Sequence, residues 1–109
     1  MSFAVPFLDC CDDPTLEVSK RITRDDHDRQ TLCRCERCGS YWVDRFFEHI
    51  YFDADMPDDQ STWYVRLSEG EALYILGALG RPALPFLAGR RCFREDERGV
   101  SPDATYPPF

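Results

Sequence analysis

The sequence contains no apolar run approaching the roughly 20 residues that span a bilayer, so a membrane-crossing role is not expected. Its first residues, MSFAVPFLDCCDD, lack the basic start, the longer apolar stretch and the small-residue cleavage site of a secretory signal, and the expected location is the cytoplasm. Histidine is scarce: His27 and His49 are the two in 109 residues, which leaves few choices for a general base. Ser40 and Ser61 carry no nucleophile signature around them, and no phosphate-cradling glycine loop occurs. Enzyme activity therefore has no support. Positive charge is also short, with 13 basic residues against 20 acidic ones and a net charge of −7. Only Lys20 among the basic residues is not Arg, and Arg makes paired and stacked contacts more readily. The acids crowd into DCCDD, DDHD and DADMPDD. A field of that sign repels phosphate backbones and anionic membranes and draws a basic protein surface inward.

Six cysteines stand out against these absences. In a cytoplasmic chain they favour metal or redox chemistry over disulfides. Cys35-Glu36-Arg37-Cys38-Gly39 has the two-residue gap that turns both thiolates toward one ion, and Gly39 relieves the tight turn behind them. A redox pair would instead open a helix after a strand, where the helix dipole lowers a thiol pKa. Here the knuckle leads into SYWVDRFFEHIYF, which is rich in aromatic and branched residues and reads as a strand. Structural zinc is the expected occupant, with redox thiols and plain buried cysteines as the alternatives.

The stretch CERCGSYW resembles one knuckle of a zinc ribbon, in which a CxxCG turn joins two strands and an aromatic comes soon after. That resemblance implies a ligand role for Cys35 and Cys38 and covers about eight residues of the chain. The second CxxC knuckle of a ribbon is absent, so no family function carries over. As a whole, the short, acidic, aromatic-rich chain without a catalytic set is similar to small immunity proteins of bacterial toxin systems.

Structural zinc takes four ligands, so two more are needed. DCCDDP supplies Cys10 and Cys11; adjacent side chains diverge, and one of the two is expected to ligate. Cys33, two residues before Cys35 and on the same face of an extended strand, could complete the set. His27 among acids reads as a solvated turn residue, and Cys92 as a small core residue.

The 109 residues fit one zinc-binding domain, with 95–109 as an extended surface tail. Leu16, Val18, Lys20 and Ile22 alternate against polar neighbours with a lapse at Lys20, which suits a half-buried strand over 16–23. Residues 31–35 lead into the knuckle, 41–52 return from it, and 61–67 add another strand. Ser68 and Glu71 form a capping-box pattern that starts a helix over 69–79, stopped by Gly80 and Pro82. Its apolar run, ALYILGAL, calls for burial against the sheet or in a partner interface. PFLAG at 85–89 offers one more turn. The fold expected is α+β: a small antiparallel sheet, stapled by a zinc knuckle and covered by one main helix.

Both faces of such a sheet are partly apolar, because Trp42 and Phe46 alternate with Val43 and Phe47. The helix covers one face, and the other needs residues 1–8 and 82–109 or a partner. Asp53, Asp55, Asp58 and Asp59 lack the glycine and distal Glu of an EF-hand and read as a solvated loop. The expected function is binding of a basic protein through Asp55, Asp58, Asp59 and Trp63, as an inhibitor or immunity protein. The alternatives are a zinc-ribbon nucleic-acid or transcription accessory protein, which would need a basic stripe, and a thiol redox or metal-handling protein.

Overall fold

Branched and aromatic runs become strands of one sheet. The computed structural model describes residues 2–24, 27–49, 59–80, 82 and 84–107. In chain order these form β1 (Ser2–Ala4), β2 (Thr15–Arg24), β3 (Asp28–Cys35), β4 (Tyr41–His49), β5 (Asp59–Leu67), α1 (Glu69–Gly77), a 3-10 turn (Pro85–Leu87), β6 (Arg91–Asp96) and β7 (Gly99–Thr105). Each strand pairs antiparallel with the next, so the sheet runs β1 to β7 in sequence order. The fold is therefore the α+β arrangement expected, and among the described residues no helix is long and apolar enough to cross a membrane.

Alternation divides the sheet into two packed faces. On the first, Leu32, Val43, Trp63, Val65 and Leu67 meet Ala72 and Ile75 of α1, Leu87 of the 3-10 turn, and Tyr106. On the second, Cys33, Cys35, Trp42 and Tyr64 meet Val5 and Leu8 of the N-terminal segment, with Phe7 packed alongside. The chain thus covers this face with its own residues. Phe7 lies edge-on to Tyr64 at 5.4 Å and 71°.

The lapse at Lys20 has a geometric cause. Val18 pairs with Cys33 and Lys20 with Leu32, leaving Ser19 as an extra residue in β2. Such a bulge reverses the side-chain phase. Leu16 consequently belongs to the second face and Ile22 to the first, rather than sharing one as plain alternation implied. Lys20 is turned toward α1, where its Nζ donates to the carbonyls of Ile75 (2.8 Å) and Ala78 (2.6 Å). A cation there adds to the Ala78 amide on the Ile75 carbonyl, gives the Ala78 carbonyl a donor, and suits the negative end of the helix dipole.

The capping box predicted at Ser68 is present: the Glu71 amide donates to Ser68 Oγ (3.2 Å) and the Ser68 amide to Glu71 Oε1 (2.9 Å). Glu71 also receives two hydrogen bonds from Arg90, at 2.9 and 2.6 Å. The helix ends at Gly77, before Gly80. Of the two expected forms of burial, the sheet takes only Ala72 and Ile75 of the helix. Leu73, Tyr74 and Leu76 are 57%, 51% and 39% exposed, and Leu79 just beyond is 98% exposed. Tyr74 stands edge-on to Phe86, 6.2 Å between ring centres, beside a shallow cleft of about 550 Å³ bordered by Ser68, Gly70 and Pro85.

The tail is more ordered than a surface extension. β6 and β7 form a hairpin, and Tyr106, only 3% exposed, anchors its end in the first core. Arg45, at 2% exposure, lies beside Tyr106 and forms a two-point pair with Asp28, at 3.1 and 2.8 Å. Planar two-point pairing of this kind satisfies a buried guanidinium that would otherwise be costly.

Candidate metal centre

β3 ends in Cys35 and β4 begins at Tyr41, so the five residues between make a tight reversal. The Gly39 amide donates to the Cys35 carbonyl and the Cys35 amide to the Ser40 carbonyl, both at 2.8 Å. Gly39 adopts φ 80°, a left-handed conformation that glycine occupies without a Cβ penalty. This is the knuckle that CERCG predicted. The Glu36 amide of the knuckle donates to the Thr15 carbonyl (2.8 Å), and the N-terminal segment closes on itself where the Val5 amide donates to the Pro14 carbonyl (3.0 Å).

Between Val5 and Pro14 the chain is bent rather than extended, and both neighbouring cysteines reach the knuckle. The ligand atoms of Cys10, Cys11, Cys35 and Cys38 all lie within 4.8 Å of one another. Adjacent side chains diverge in a regular strand, but a run of bends is not bound by that rule. Cys11 Sγ stands 3.8 Å from Cys35 Sγ and 3.9 Å from Cys10 Sγ. Four sulfurs about 2.3 Å from a tetrahedral zinc lie about 3.8 Å apart, which these separations match. A disulfide would bring the sulfurs to about 2.05 Å, and all six cysteines are free.

The four thiols are electrostatically unequal. Burial opposes ionisation of Cys35, but backbone hydrogen bonds at Cys38, Thr15 and Arg37 overcome it and bring the thiol down to about 6. Burial opposes Cys38 too, and hydrogen bonds from the side chain and backbone of Ser40 lower it below the ordinary thiol value. Burial instead pushes Cys10 up to about 12 and raises Cys11. The knuckle thiols therefore ionise more readily than the N-terminal pair, and a cation would favour release of the remaining protons. Cys35 is fully buried, Cys10 and Cys11 are half-buried and Cys38 is exposed.

Cys33 does not join them. It is fully buried in the second core, two residues up β3 from Cys35 and so about 6.6 Å away along the strand. Burial and the nearby Asp44 push its thiol up to about 12. Cys92 is buried on the opposite face, as a core residue, and His27 is exposed at the far end of β3. Trp63, expected at a partner surface, is 8% exposed in the first core, with the Arg94 guanidinium 5.5 Å from its ring centre. It packs there because its phase in β5 is that of Val65 and Leu67, toward the first core. Asp53, Asp55 and Asp58 lie outside the described residues, as do Ile50, Tyr51, Phe52 and the side chains of His49 and Asp59.

Comparison of the chain with protein-family models, curated proteins and solved structures finds no match. What the chain shows is a four-cysteine cluster able to hold a metal ion. Such a set fills a tetrahedral ion's coordination with protein ligands and leaves no place for a reacting water.

Proposed function

We propose that the chain is a zinc-stabilised, non-catalytic protein-binding module, and in its sharpest form an acidic inhibitor or immunity protein directed at a basic toxin. The observation that carries the binding role is the apolar face that α1 leaves in solvent. Leu73, Tyr74, Leu76 and Leu79 form an apolar group along and just beyond one short helix, and grouped exposure of that kind marks interaction sites. The occupant is a protein with an apolar centre and a basic rim. Its charge complements the −7 of this chain, Glu69 exposed in the first turn of α1, and a last turn without a basic side chain. A closed four-thiolate site supports a structural zinc, and tetrahedral sulfur ligation suits zinc among the common divalent ions.

Elemental analysis of purified protein is expected to find about one zinc per chain. For the binding role, a protein captured from cell extract is purified and titrated against wild type and against Leu73→Asp combined with Leu76→Asp. The expected result is at least about tenfold weaker binding by a variant that melts normally, as for a central apolar contact. Association should slow as salt rises, and neutralising Asp55, Asp58 and Asp59 should flatten that dependence. Equal affinity of the variant would remove α1 from the interface.

A further inference from the structure

Ser40 holds both knuckle cysteines through different atoms. Its carbonyl accepts from the Cys35 amide at 2.8 Å, and its Oγ lies 3.0 Å from Cys38 Sγ. Trp42 Nε1 donates to the same Oγ, also at 3.0 Å. An indole nitrogen can only donate, and a serine hydroxyl has one hydrogen to give. With Cys38 a thiol, either atom of the 3.0 Å contact can donate; a metal-bound Cys38 thiolate can only accept, so there the serine hydrogen fills the contact while Trp42 occupies an Oγ lone pair. Trp42 is 1% exposed and set in the second core, so packing holds its indole hydrogen on Ser40 Oγ.

We infer that Ser40 is a positioning residue of the metal centre, donating its hydroxyl hydrogen to the Cys38 thiolate in an orientation imposed by the Trp42 indole. The inference rests on the metal reading of the four cysteines. Cys38 is the exposed member of the set and so the ligand water reaches most easily. A hydrogen bond on its sulfur draws off part of the negative charge that four thiolates place around one divalent ion, and it holds the side chain toward its neighbours. Groups that bond to ligands in this way commonly alter metal affinity by about 10- to 100-fold.

The test uses the full chain loaded with cobalt(II), whose thiolate absorption reports the ligand set, with subsequent competition by a chelator for cobalt and for zinc. Ser40→Ala is expected to weaken metal binding by about 10- to 100-fold while keeping the four-thiolate spectrum, and to shed metal to the chelator faster. Ser40→Thr keeps the hydroxyl and should stay close to wild type. Tryptophan emission should change on loading in wild type and Ser40→Thr, and change less in Ser40→Ala. Unchanged affinity in Ser40→Ala overturns the inference, and so does an equal loss in Ser40→Thr, which would mark a packing role only. If Ser40→Ala does not fold, Trp42→Phe serves in its place: it leaves the serine hydrogen undirected and should weaken binding by a smaller factor, and unchanged affinity there also overturns the inference. Wild-type protein that takes up neither cobalt nor zinc overturns the metal reading itself.

Discussion

The two faces of the sheet are closed by different means. On the first, a capped helix, a 3-10 turn and Tyr106 bring apolar side chains onto Val43, Trp63 and Val65, and the Glu71–Arg90 and Lys20–α1 contacts pin the cover down. On the second, the cover is a bent segment without a helix, contributing Val5, Phe7 and Leu8. A segment that short gains little from its own backbone and has few apolar residues to set against the entropy of ordering it. The four-cysteine cluster sits at the end of this cover, joining Cys10 and Cys11 to the knuckle. One face is held by ordinary packing, the other by packing beside a cluster able to hold an ion.

Metal removal should break that contrast most strongly. Structural zinc typically contributes on the order of 10 kcal/mol of binding energy that is lost with the ion, so chelation should lower stability by several kcal/mol. Hydrogen exchange should rise first at the amides of Val5 and Leu8 and in residues 31–35 and 41–47, with α1 responding later. Replacing Cys35 and Cys38 by Ser should reproduce the pattern. Simultaneous loosening of both faces would contradict the division.

Next in size is Trp63→Ala, which opens a cavity in the helix-covered core and should cost about 3 to 5 kcal/mol in a melting measurement. Zinc content should stay the same at temperatures where the variant is folded, because Trp63 lies in the first core and Cys35, with its clustered partners, on the second face.

Acid should act in opposite directions on one carboxylate of each face, apart from the release of any bound ion as its thiolates take up protons. Bonding to Arg90, against some burial, with help from the Ser68 backbone, holds Glu71 down at about 2, so its contribution is present above the usual 4.5 and disappears as pH falls from there toward 2. Glu71→Gln should cost about 1 to 2 kcal/mol near neutral pH, the worth of a charged hydrogen bond at a partly exposed site. On the second face, burial pushes Asp44 up to about 6, Arg29 offsetting part of the effect and Glu95 adding to it. Its folded form holds the proton more tightly than the unfolded chain, so this group's contribution is greatest below about 4 and is lost as pH rises through 6. Asp44→Asn should therefore gain stability at pH 7 and nothing at pH 3.5, as read from chemical melts at each pH. The smallest effect is expected from Lys20→Met, which loses the two carbonyl contacts at the end of α1 and should cost about 1 kcal/mol.

Local chemistry was well expressed in the sequence. The Ser68–Glu71 box, the Gly39 turn and the four longer strands all arise from short-range spacing, and so does the bringing together of Cys35 and Cys38. Features set by partners distant in sequence were not. Lys20 looked like a lapse because the Ser19 bulge depends on how β2 registers against β3. The joint use of Cys10 and Cys11 depends on bends that no periodic pattern announces, and it leaves Cys33 in the core despite its better spacing. Arg45 offered no sign of burial, since its two-point partner Asp28 lies 17 positions back. β6 and β7 were hidden by charge in RCFREDERG, although the Asp96 carboxylate accepting from the Arg98 amide (2.8 Å) and Gly99 at φ 122° make a recognisable turn.

The order of the strands has a consequence for synthesis on the ribosome. Because every strand pairs with its immediate predecessor, each can dock as it emerges, without waiting for a distant segment of chain. All four clustered thiols belong to the first 38 residues, ahead of α1 and everything that closes the other face. An ion captured at that stage would fasten β2, β3 and the N-terminal segment into a template onto which the remaining hairpins are laid in turn, and domains formed progressively from the N-terminus spend less time with bare apolar surface.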